Sequence, residues 1–221
     1  AHYPLNTMGD QMKHTDGRFT GIGGRSIYFQ SWGPEAALKA VLLLAHGAGE
    51  HSGRYYQLAQ FFTGYGYAVA AFDHQGHGNS DGIPGFVNSF GEYVADLEIF
   101  HRQTMSKFFG TPMILLGHSM GGLITSCYLL DHQADFRGAV ISAPAIRASG
   151  NISQATIIMG KILSALAPKM GLLPVDAKSI SRDPEVVKAY VNDPLVFHGK
   201  MPARLAAELL KAMRRVTAEA D

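Results

Sequence analysis

The nine residues from Ile114 to Gly122, ILLGHSMGG, constrain the fold of this chain more than any other segment. An apolar run that begins at Met113 is typical of a short buried strand, and residues 123–130 have the pattern of a helix. Gly-x-Ser-x-Gly between a strand and a helix predicts a turn so tight that glycine is needed at its flanks. Such a turn pushes the Ser119 hydroxyl outward at its apex. The alternative interpretation is an ordinary glycine-rich turn that carries an exposed serine.

Apolar runs of strand length recur along the chain, and helical patterns separate them. Helices are predicted over 55–65 and 90–109, where apolar residues recur at helical spacing. Strands that are buried on both faces are predicted, besides the one before Ser119, at 40–45, 67–72 and 138–142. This alternation predicts an α/β fold with a mostly parallel sheet and flanking helices. In such sheets the functional site lies at the carboxyl ends of the strands.

The N-terminal part of the chain has a different pattern. Gly23 and Gly24 stand between two strand-like segments, which predicts a β-hairpin with strands over 18–22 and 25–32. Residues 1–16 are polar and show no periodicity, so we expect them to form a loosely held arm.

The chain divides into a core and an insertion. Residues 1–144 are predicted to form the N-terminal part of the core. Residues 201–221 are predicted to form a helix that returns to the core, and this helix is amphipathic over 203–216. Residues 145–200 contain no buried strand, and they carry an apolar stripe at helical spacing: Ile157, Ile158, Ile162, Leu163 and Leu166. This stripe could pack onto the core or line a cap over the site. We favour a cap, because the insertion leaves from the edge where the strands end.

Composition restricts the class of protein without identifying a partner. A chain of 221 residues can bury a sizeable core, and 19 basic against 18 acidic residues give a formal net charge of +1. That balance favours no nucleic acid partner. Cys127 is the single cysteine, so no internal disulfide can form, and no run of 18 apolar residues suggests a membrane span. The first residue is Ala1, which leaves the compartment open.

Acyl transfer by Ser119 requires a general base and an oxyanion hole. A base must take its hydroxyl proton, and backbone N–H groups must stabilise the oxyanion that forms during acyl transfer. At such an elbow one donor belongs to the residue after the serine, here Met120. The other comes from a glycine-rich loop after an early strand, and the sequence HGAG at 46–49 predicts the Ala48 N–H. Neither Gly-Lys-Ser/Thr nor Gly-x-Gly-x-x-Gly follows a strand, so a phosphate loop is not indicated.

The ten histidines do not predict a metal site. Four of them, His46, His51, His74 and His77, lie in two loops, but their spacing matches no metal motif. We expect His46, His74 and His77 to hold backbone through hydrogen bonds, and we expect neither metal nor cofactor. Asp73 follows a strand, which is a position typical of a catalytic acid, yet a loop-bracing role fits its position better.

Three motifs, taken together with the cap, identify a family. They are HGAGEHSGRY at 46–55, DHQGHGNS at 73–80 and GHSMGG at 117–122. With Ser181-Arg182, Tyr190 and Asn192–Leu195 in the cap, they resemble the monoglyceride lipases and lysophospholipases of the α/β-hydrolase fold. The resemblance covers about residues 18–220, in order and with the spacing of the family.

The resemblance implies roles for six residues. Ser119 would be the nucleophile, and Ala48 and Met120 would supply the oxyanion-hole N–H groups. Glu50, Arg54 and Tyr190 would line a polar pocket for the glycerol end of a substrate. The cap would hold the acyl chain and make transient contact with a membrane or micelle surface.

One departure from the family concerns the catalytic triad. In this fold the acid and the histidine follow the serine, the acid after a further strand. Beyond Ser119 the candidates are Asp183, Asp193 and His198, all of them in the cap. We therefore expect a segment beyond Asp221 to carry both residues, the 221-residue chain alone to be inactive, and the strand at 138–142 to be left as an open apolar edge.

Two classes of function remain open. The first is a serine hydrolase of lipid esters, with monoacylglycerols as the expected substrates and a broad carboxylesterase or lysophospholipase as the alternative within enzymes. The second is a truncated, non-catalytic homologue that binds acyl ligands. Reaction of Ser119 with a fluorophosphonate separates the two classes.

Overall fold

The computed structural model describes residues 12–35, 37–148, 153–174 and 180–220, and a six-stranded sheet forms its centre. The strands are β1 (Lys13–Thr20), β2 (Ser26–Gly33), β3 (Ala40–Ala45), β4 (Tyr67–Phe72), β5 (Met113–His118) and β6 (Gly138–Ser142). Their order across the sheet is β1-β2-β4-β3-β5-β6. The last four in this order are parallel, while β1 and β2 run antiparallel to their neighbours. The predicted α/β fold is confirmed.

The longer helices flank this sheet or belong to the cap. They are α1 (Tyr56–Thr63), α2 (Phe90–Lys107), α3 (Met120–His132), α4 (Gln154–Leu166), α5 (Pro184–Val191) and α6 (Ala203–Glu219). The helices predicted from periodicity are confirmed with small shifts at their ends, and α3 begins directly after Ser119. Within the described parts of the chain, none of the helices has both the length and the apolar character needed to cross a membrane.

The central strand β3 is apolar at every position because both of its faces are covered. Val41 and Leu43 lie in a core formed with α2, α3 and α6, and Leu42 and Leu44 lie in a second core beneath α1. All four side chains are buried. The two cores hold β3 and its neighbour β5 rigidly, and the loops that follow these strands carry the candidate site.

The hairpin begins earlier than predicted. Lys13 to Asp16 are paired with β2 from Gly33 to Gln30, so these residues belong to the sheet and not to a loose arm. The Thr15 and Ser31 hydroxyls, 2.8 Å apart, add a cross-strand hydrogen bond. The prediction missed this pairing because polar residues on an edge strand show little periodicity. The rest of the predicted arm, residues 1–11, lies outside the described residues.

The described part of the cap adds no strand to the central sheet. Two short strands, β7 (Gly171–Pro174) and β8 (Lys200–Pro202), form a separate antiparallel pair where the cap returns to the core. Residues 149–152 and 175–179 of the predicted cap lie outside the described residues. Asp221 also lies outside them.

The apolar stripe of α4 divides into two parts. Ile157 and Leu163 are half-buried, whereas Ile158, Ile162 and Leu166 form an exposed row that is 56%, 46% and 81% accessible. The interpretation that the stripe packs onto the core is therefore wrong for this exposed row. Exposed apolar rows of this kind mark surfaces for partners or lipid.

Strand β6 lies at one edge of the sheet and pairs with β5 alone among the described strands. All five of its residues are exposed, including Val140 at 50% and Ile141 at 40%. The predicted open apolar edge is thus present in this 221-residue chain.

Candidate active site

The turn between β5 and α3 has the strained geometry of a nucleophile elbow. Ser119 has φ 53° and ψ −116°, a backbone conformation that non-glycine residues adopt rarely. A Cβ on Gly121 would overlap the carbonyl oxygens of Ala45 and His46, so only glycine allows α3 to start this close to β3. The strain persists because the rigid sheet and α3 hold the turn from both sides. The predicted tight turn is confirmed.

The backbone around Ser119 is anchored to the end of β6. The Ser119 N–H donates to the Ser142 carbonyl oxygen at 3.0 Å, and the Ser119 carbonyl oxygen accepts from the Ala145 N–H at 2.9 Å. The side chain of Ser119 is partly exposed, and no hydrogen bond joins its Oγ to another described residue. Its hydroxyl is therefore accessible to a ligand from the carboxyl edge of the sheet.

Two backbone segments beside Ser119 can offer N–H groups. Met120 is the first residue of α3, so its N–H has no acceptor within the helix and lies at the positive end of the helix dipole. Gly47 lies in the loop after β3, and a Cβ built on it would be 3.3 Å from the Ser119 Cβ. The loop that carries Ala48 therefore passes directly beside the serine.

Buried histidines hold the backbone of this loop through hydrogen bonds. His46 Nδ1–H donates to the Gly47 carbonyl oxygen at 2.8 Å, and His46 Nε2 accepts from the His74 N–H at 3.0 Å. His74 Nε2–H donates to the His46 carbonyl oxygen at 3.0 Å. These bonds assign neutral tautomers, and burial lowers the pKa of His46 far below its usual value and that of His74 to about 3. The predicted backbone-holding role is confirmed for both residues, and His77 bonds the Gln75 carbonyl oxygen in the same way.

Asp73 braces the two loops and does not face Ser119. Its carboxylate accepts from the Ser52 N–H at 2.7 Å, the Ser52 hydroxyl at 2.6 Å and the Asn79 N–H at 2.8 Å. It is fully buried, and all three bonds stabilise loop conformation. The described residues hold no group of three or more His, Cys, Asp or Glu side chains that could bind a metal.

The three predicted pocket residues converge from the core and the cap. The Arg54 guanidinium lies 4.9 Å from the centre of the Tyr190 ring, and its Nε lies 3.5 Å from Glu50 Oε2. Partial burial raises the pKa of Tyr190, so its hydroxyl remains protonated near neutral pH. A cation, a carboxylate and a phenol thus lie together beside the loop that carries Ala48.

This cluster also contains residues for which no role in the pocket was predicted. His51 Nε2 lies 2.9 Å from Asp193 Oδ2, and Arg54 Nη1 lies 3.9 Å from the same oxygen. Partial burial opposes ionisation of Asp193, but its hydrogen bond to His51 lowers the pKa overall. Tyr55 donates to Glu50 Oε1 at 2.7 Å. His51 and Asp193 are 142 positions apart in the sequence, and no motif spacing predicts a contact over such a distance.

The cap reaches the same loop through its backbone. The Phe197 N–H donates to the Gly49 carbonyl oxygen at 2.8 Å. Gly49 has φ +78°, and a Cβ there would be 3.2 Å from the Phe197 carbonyl oxygen. Glycine at 49 therefore permits both the turn and the close approach of the cap.

The acidic and histidine candidates in the cap have other partners. Asp183 accepts from the Glu185 N–H at 2.9 Å and caps α5, and the His198 ring packs against Tyr190 with 5.6 Å between ring centres. Asp193 bonds His51. In the described part of the chain, then, none of the three forms a hydrogen bond with Ser119 Oγ.

An apolar cavity of about 750 Å³ lies between α4 and α6. Its apolar lining comes from both helices and from β7 and includes Ile157, Gly160, Ala165, Leu172, Leu209, Leu210 and Met213. Lys161, Arg204, Lys211 and Arg214 also line it. The cavity lies against the α4 part of the cap, but Ser119 does not line it.

Comparison with known proteins agrees with this geometry. Residues 36–221 match the family described as serine aminopeptidase, S33. The chain is 40% identical over 192 residues to a monoacylglycerol lipase of Mycolicibacterium smegmatis, covering 87% of this chain and 69% of that protein. It is 36% identical over 197 residues to human monoglyceride lipase, covering 87% of this chain and 64% of that protein.

A solved structure extends the comparison to three dimensions. The crystal structure of a monoacylglycerol lipase from Paleococcus ferrophilus superposes with a TM-score of 0.76 at 32% identity, covering 88% of this chain and 72% of that one. The present chain therefore spans about two thirds to three quarters of the length of these relatives. By this family match and by its 40% identity to a monoacylglycerol lipase, the chain belongs to the serine aminopeptidase S33 family and is a homologue of the monoglyceride lipases, with the α/β-hydrolase fold.

Proposed function

We propose that the protein is a serine hydrolase that cleaves carboxylic esters of lipids, with monoacylglycerol as its substrate and glycerol and a fatty acid as its products. The observation that carries the proposal is the strained, accessible Ser119 between the free Met120 N–H and the loop of Ala48. The names of the relatives, monoacylglycerol lipases at 36% to 40% identity, support the choice of lipid ester.

The reaction would proceed through an acyl-enzyme. Ser119 Oγ gives its proton to a base and attacks the ester carbonyl carbon, and the resulting oxyanion accepts hydrogen bonds from the Ala48 and Met120 N–H groups. Collapse of this intermediate breaks the bond to the glycerol oxygen, which leaves with the proton from the base. Water then attacks the acyl-serine ester by the same route and releases the fatty acid.

The base and its orienting acid are proposed to lie outside the described residues. In the described part of the chain no imidazole is hydrogen-bonded to Ser119 Oγ, and Asp73, Asp183 and Asp193 are engaged elsewhere. A hydrolase of this type needs both groups, since loss of a triad member leaves only the small rate acceleration of the oxyanion hole and binding. We therefore expect the 221-residue chain on its own to be inactive.

Two environments would receive the two ends of the substrate. Glu50, Arg54 and Tyr190 offer donors and acceptors suited to glycerol hydroxyls. The apolar cavity between α4 and α6 suits an acyl chain. The exposed row of α4 (Ile158, Ile162 and Leu166) would rest on a membrane or micelle surface, from which the substrate is drawn.

The experiment that tests the proposal is labelling followed by turnover. A fluorophosphonate should modify Ser119 of the purified full-length protein, and that protein should release glycerol from a monoacylglycerol. Ser119→Ala should abolish both without changing the thermal unfolding midpoint appreciably. Faster hydrolysis of lysophospholipids or simple esters would favour the broader esterase, and acyl binding without labelling would favour a non-catalytic homologue.

A further inference from the structure

Gly47, which lies beside Ser119, is held on both sides by side chains. Its N–H donates to Glu50 Oε1 at 2.6 Å, and its carbonyl oxygen accepts from His46 Nδ1–H at 2.8 Å. A bond to a carboxylate is among the stronger hydrogen bonds in proteins. The glycine would otherwise be among the most mobile residues of the loop, because it has no side chain to restrict its backbone.

The orientation of Gly47 determines the direction of the next N–H. A peptide group is planar, and in the trans form its C=O and N–H point in opposite directions. The Gly47 carbonyl and the Ala48 N–H belong to one such group. The His46 bond to the Gly47 carbonyl oxygen holds this group directly, and the Glu50 bond to the Gly47 N–H holds the preceding peptide group, so that Gly47 cannot turn between them. The two bonds together aim the Ala48 N–H, the proposed oxyanion donor.

The Glu50 carboxylate is already committed to this loop. Its Oε1 accepts from the Gly47 N–H and from the Tyr55 hydroxyl at 2.7 Å, while its Oε2 faces Arg54 Nε at 3.5 Å. The Glu50 side chain is only 15% exposed. Burial raises the pKa of Tyr55, so the hydroxyl stays protonated and remains a donor to Glu50.

We propose that Glu50, supported by Tyr55, is a positioning residue that aims the Ala48 N–H at the oxyanion, in addition to any contact with the alcohol end of a substrate. The inference rests on the proposed function. It separates two roles within the polar pocket: Arg54 acts on the glycerol end of the ester, whereas Glu50 and Tyr55 act on the transition state of every ester. Their loss should therefore lower kcat for substrates with and without glycerol.

The kinetic test compares Glu50→Ala, Glu50→Gln and Tyr55→Phe in the full-length protein. With both a monoacylglycerol and a p-nitrophenyl ester, Glu50→Ala should lower kcat by about tenfold to a hundredfold, and for the p-nitrophenyl ester, which has no glycerol, KM should change little. Glu50→Gln keeps an acceptor oxygen and should recover most of that loss. Tyr55→Phe, which removes one hydroxyl, should lower kcat by a smaller factor on both esters.

A second measurement does not depend on turnover. Hydrogen exchange followed by NMR should show faster exchange of the Gly47 amide in Glu50→Ala and Tyr55→Phe, because the acceptor is lost or loosened. Asp81→Asn is the matched control: Asp81 Oδ2 also accepts from a backbone N–H, that of Ser26 at 3.0 Å, in the loop between β4 and α2, and this bond does not involve Gly47. It should leave both kcat and Gly47 exchange unchanged.

The outcomes distinguish this inference from the proposed function. If the wild-type protein neither reacts with a fluorophosphonate nor hydrolyses esters, the proposed function is wrong. The hydrogen bonds around Gly47 are then tested by the exchange rates of the Gly47 amide alone. If the wild type is active but Glu50→Ala raises KM for the monoacylglycerol alone and leaves kcat for the p-nitrophenyl ester intact, Glu50 is a substrate contact only and the positioning role is refuted. Wild-type kcat in Tyr55→Phe, together with unchanged Gly47 exchange, would refute the support by Tyr55.

Discussion

Among single residues, the buried ionisable groups differ in how completely they are hydrogen-bonded. Around the candidate site they are neutral histidines or bonded carboxylates that hold loops. Asp96, on α2, is an exception because its carboxylate is only partly hydrogen-bonded. It is fully buried, one of its oxygens accepts from the Ile22 N–H at 2.7 Å, and its Oδ2 has no hydrogen-bond partner among the described residues.

Asp96 should make stability depend on pH. Burial raises its pKa to about 6 in the folded state, above the value near 3.9 of an unfolded chain. The folded state therefore binds more protons between these values, and the free energy of unfolding should fall as the pH rises from about 4 to 7. Asp96→Asn should flatten this dependence and raise stability at pH 8 by about 1–3 kcal/mol. Urea unfolding at several pH values measures it, and an unchanged slope would contradict the prediction.

Arg54 should discriminate between substrates. Its guanidinium lies between Glu50 and Tyr190, where it can bind a hydroxyl of glycerol, and, unlike Glu50, it forms no hydrogen bond with Gly47. Arg54→Ala should lower kcat/KM for a monoacylglycerol by about tenfold or more, as expected when a charged hydrogen bond is lost. The same variant should leave p-nitrophenyl esters nearly unaffected. An equal loss on both substrates would show that Arg54 has no role in recognising glycerol.

At the scale of elements, the cap helix α4 turns one apolar side toward solvent. Its residues Ile158, Ile162 and Leu166 recur every four positions and therefore lie on one face. The opposite side lines the cavity shared with α6. A helix that is apolar toward both a cavity and solvent is suited to lie at the boundary between the protein and a lipid surface.

The exposed face of α4 should govern adsorption to lipid. Replacing Ile158, Ile162 and Leu166 by serine should weaken binding to neutral lipid vesicles by at least about tenfold, because each apolar side chain contributes on the order of 1 kcal/mol when it leaves water. Sedimentation with vesicles measures the effect. Phe109→Ser is the control, since Phe109 is 90% exposed but lies beyond the end of α2, away from the cap. Equal loss in the control would exclude a specific role for α4.

At the scale of the whole molecule, the sheet ends in an exposed strand. One side of β6 pairs with β5, and Val140 and Ile141 on β6 are largely accessible. Unpaired strand edges with apolar side chains recruit other chains, so association of the 221-residue chain should begin here.

A charge on β6 should improve the solubility of this chain. Val140→Lys should slow aggregation of the 221-residue chain in light-scattering measurements at a fixed temperature, because a lysine on an edge strand opposes pairing. Val191→Lys is the matched control: Val191 is also 50% exposed, but it lies at the end of helix α5. If both variants slow aggregation equally, net charge and not the strand edge is responsible.

Features that depend on neighbours along the chain could be predicted from the sequence alone. The glycines around Ser119, the continuous apolar runs of β3 and β5 and the helical spacing of α2 each impose a local backbone, and that local order already indicates an α/β sheet with an elbow at Ser119. The glycine-rich loop at 46–49 could be predicted for the same reason.

Which side chains come into contact and which remain exposed depends on the tertiary structure, and it could not be predicted from the local sequence. The contact of His51 with Asp193 spans 142 residues, and periodicity carries no information about such a pair. That Glu50 bonds Gly47 and Tyr55 depends on the fold of one loop, and the exposure of α4 and β6 depends on what packs against them. Local sequence sets backbone conformation through sterics and hydrogen bonding, whereas long-range contacts arise when whole elements bury their apolar faces together.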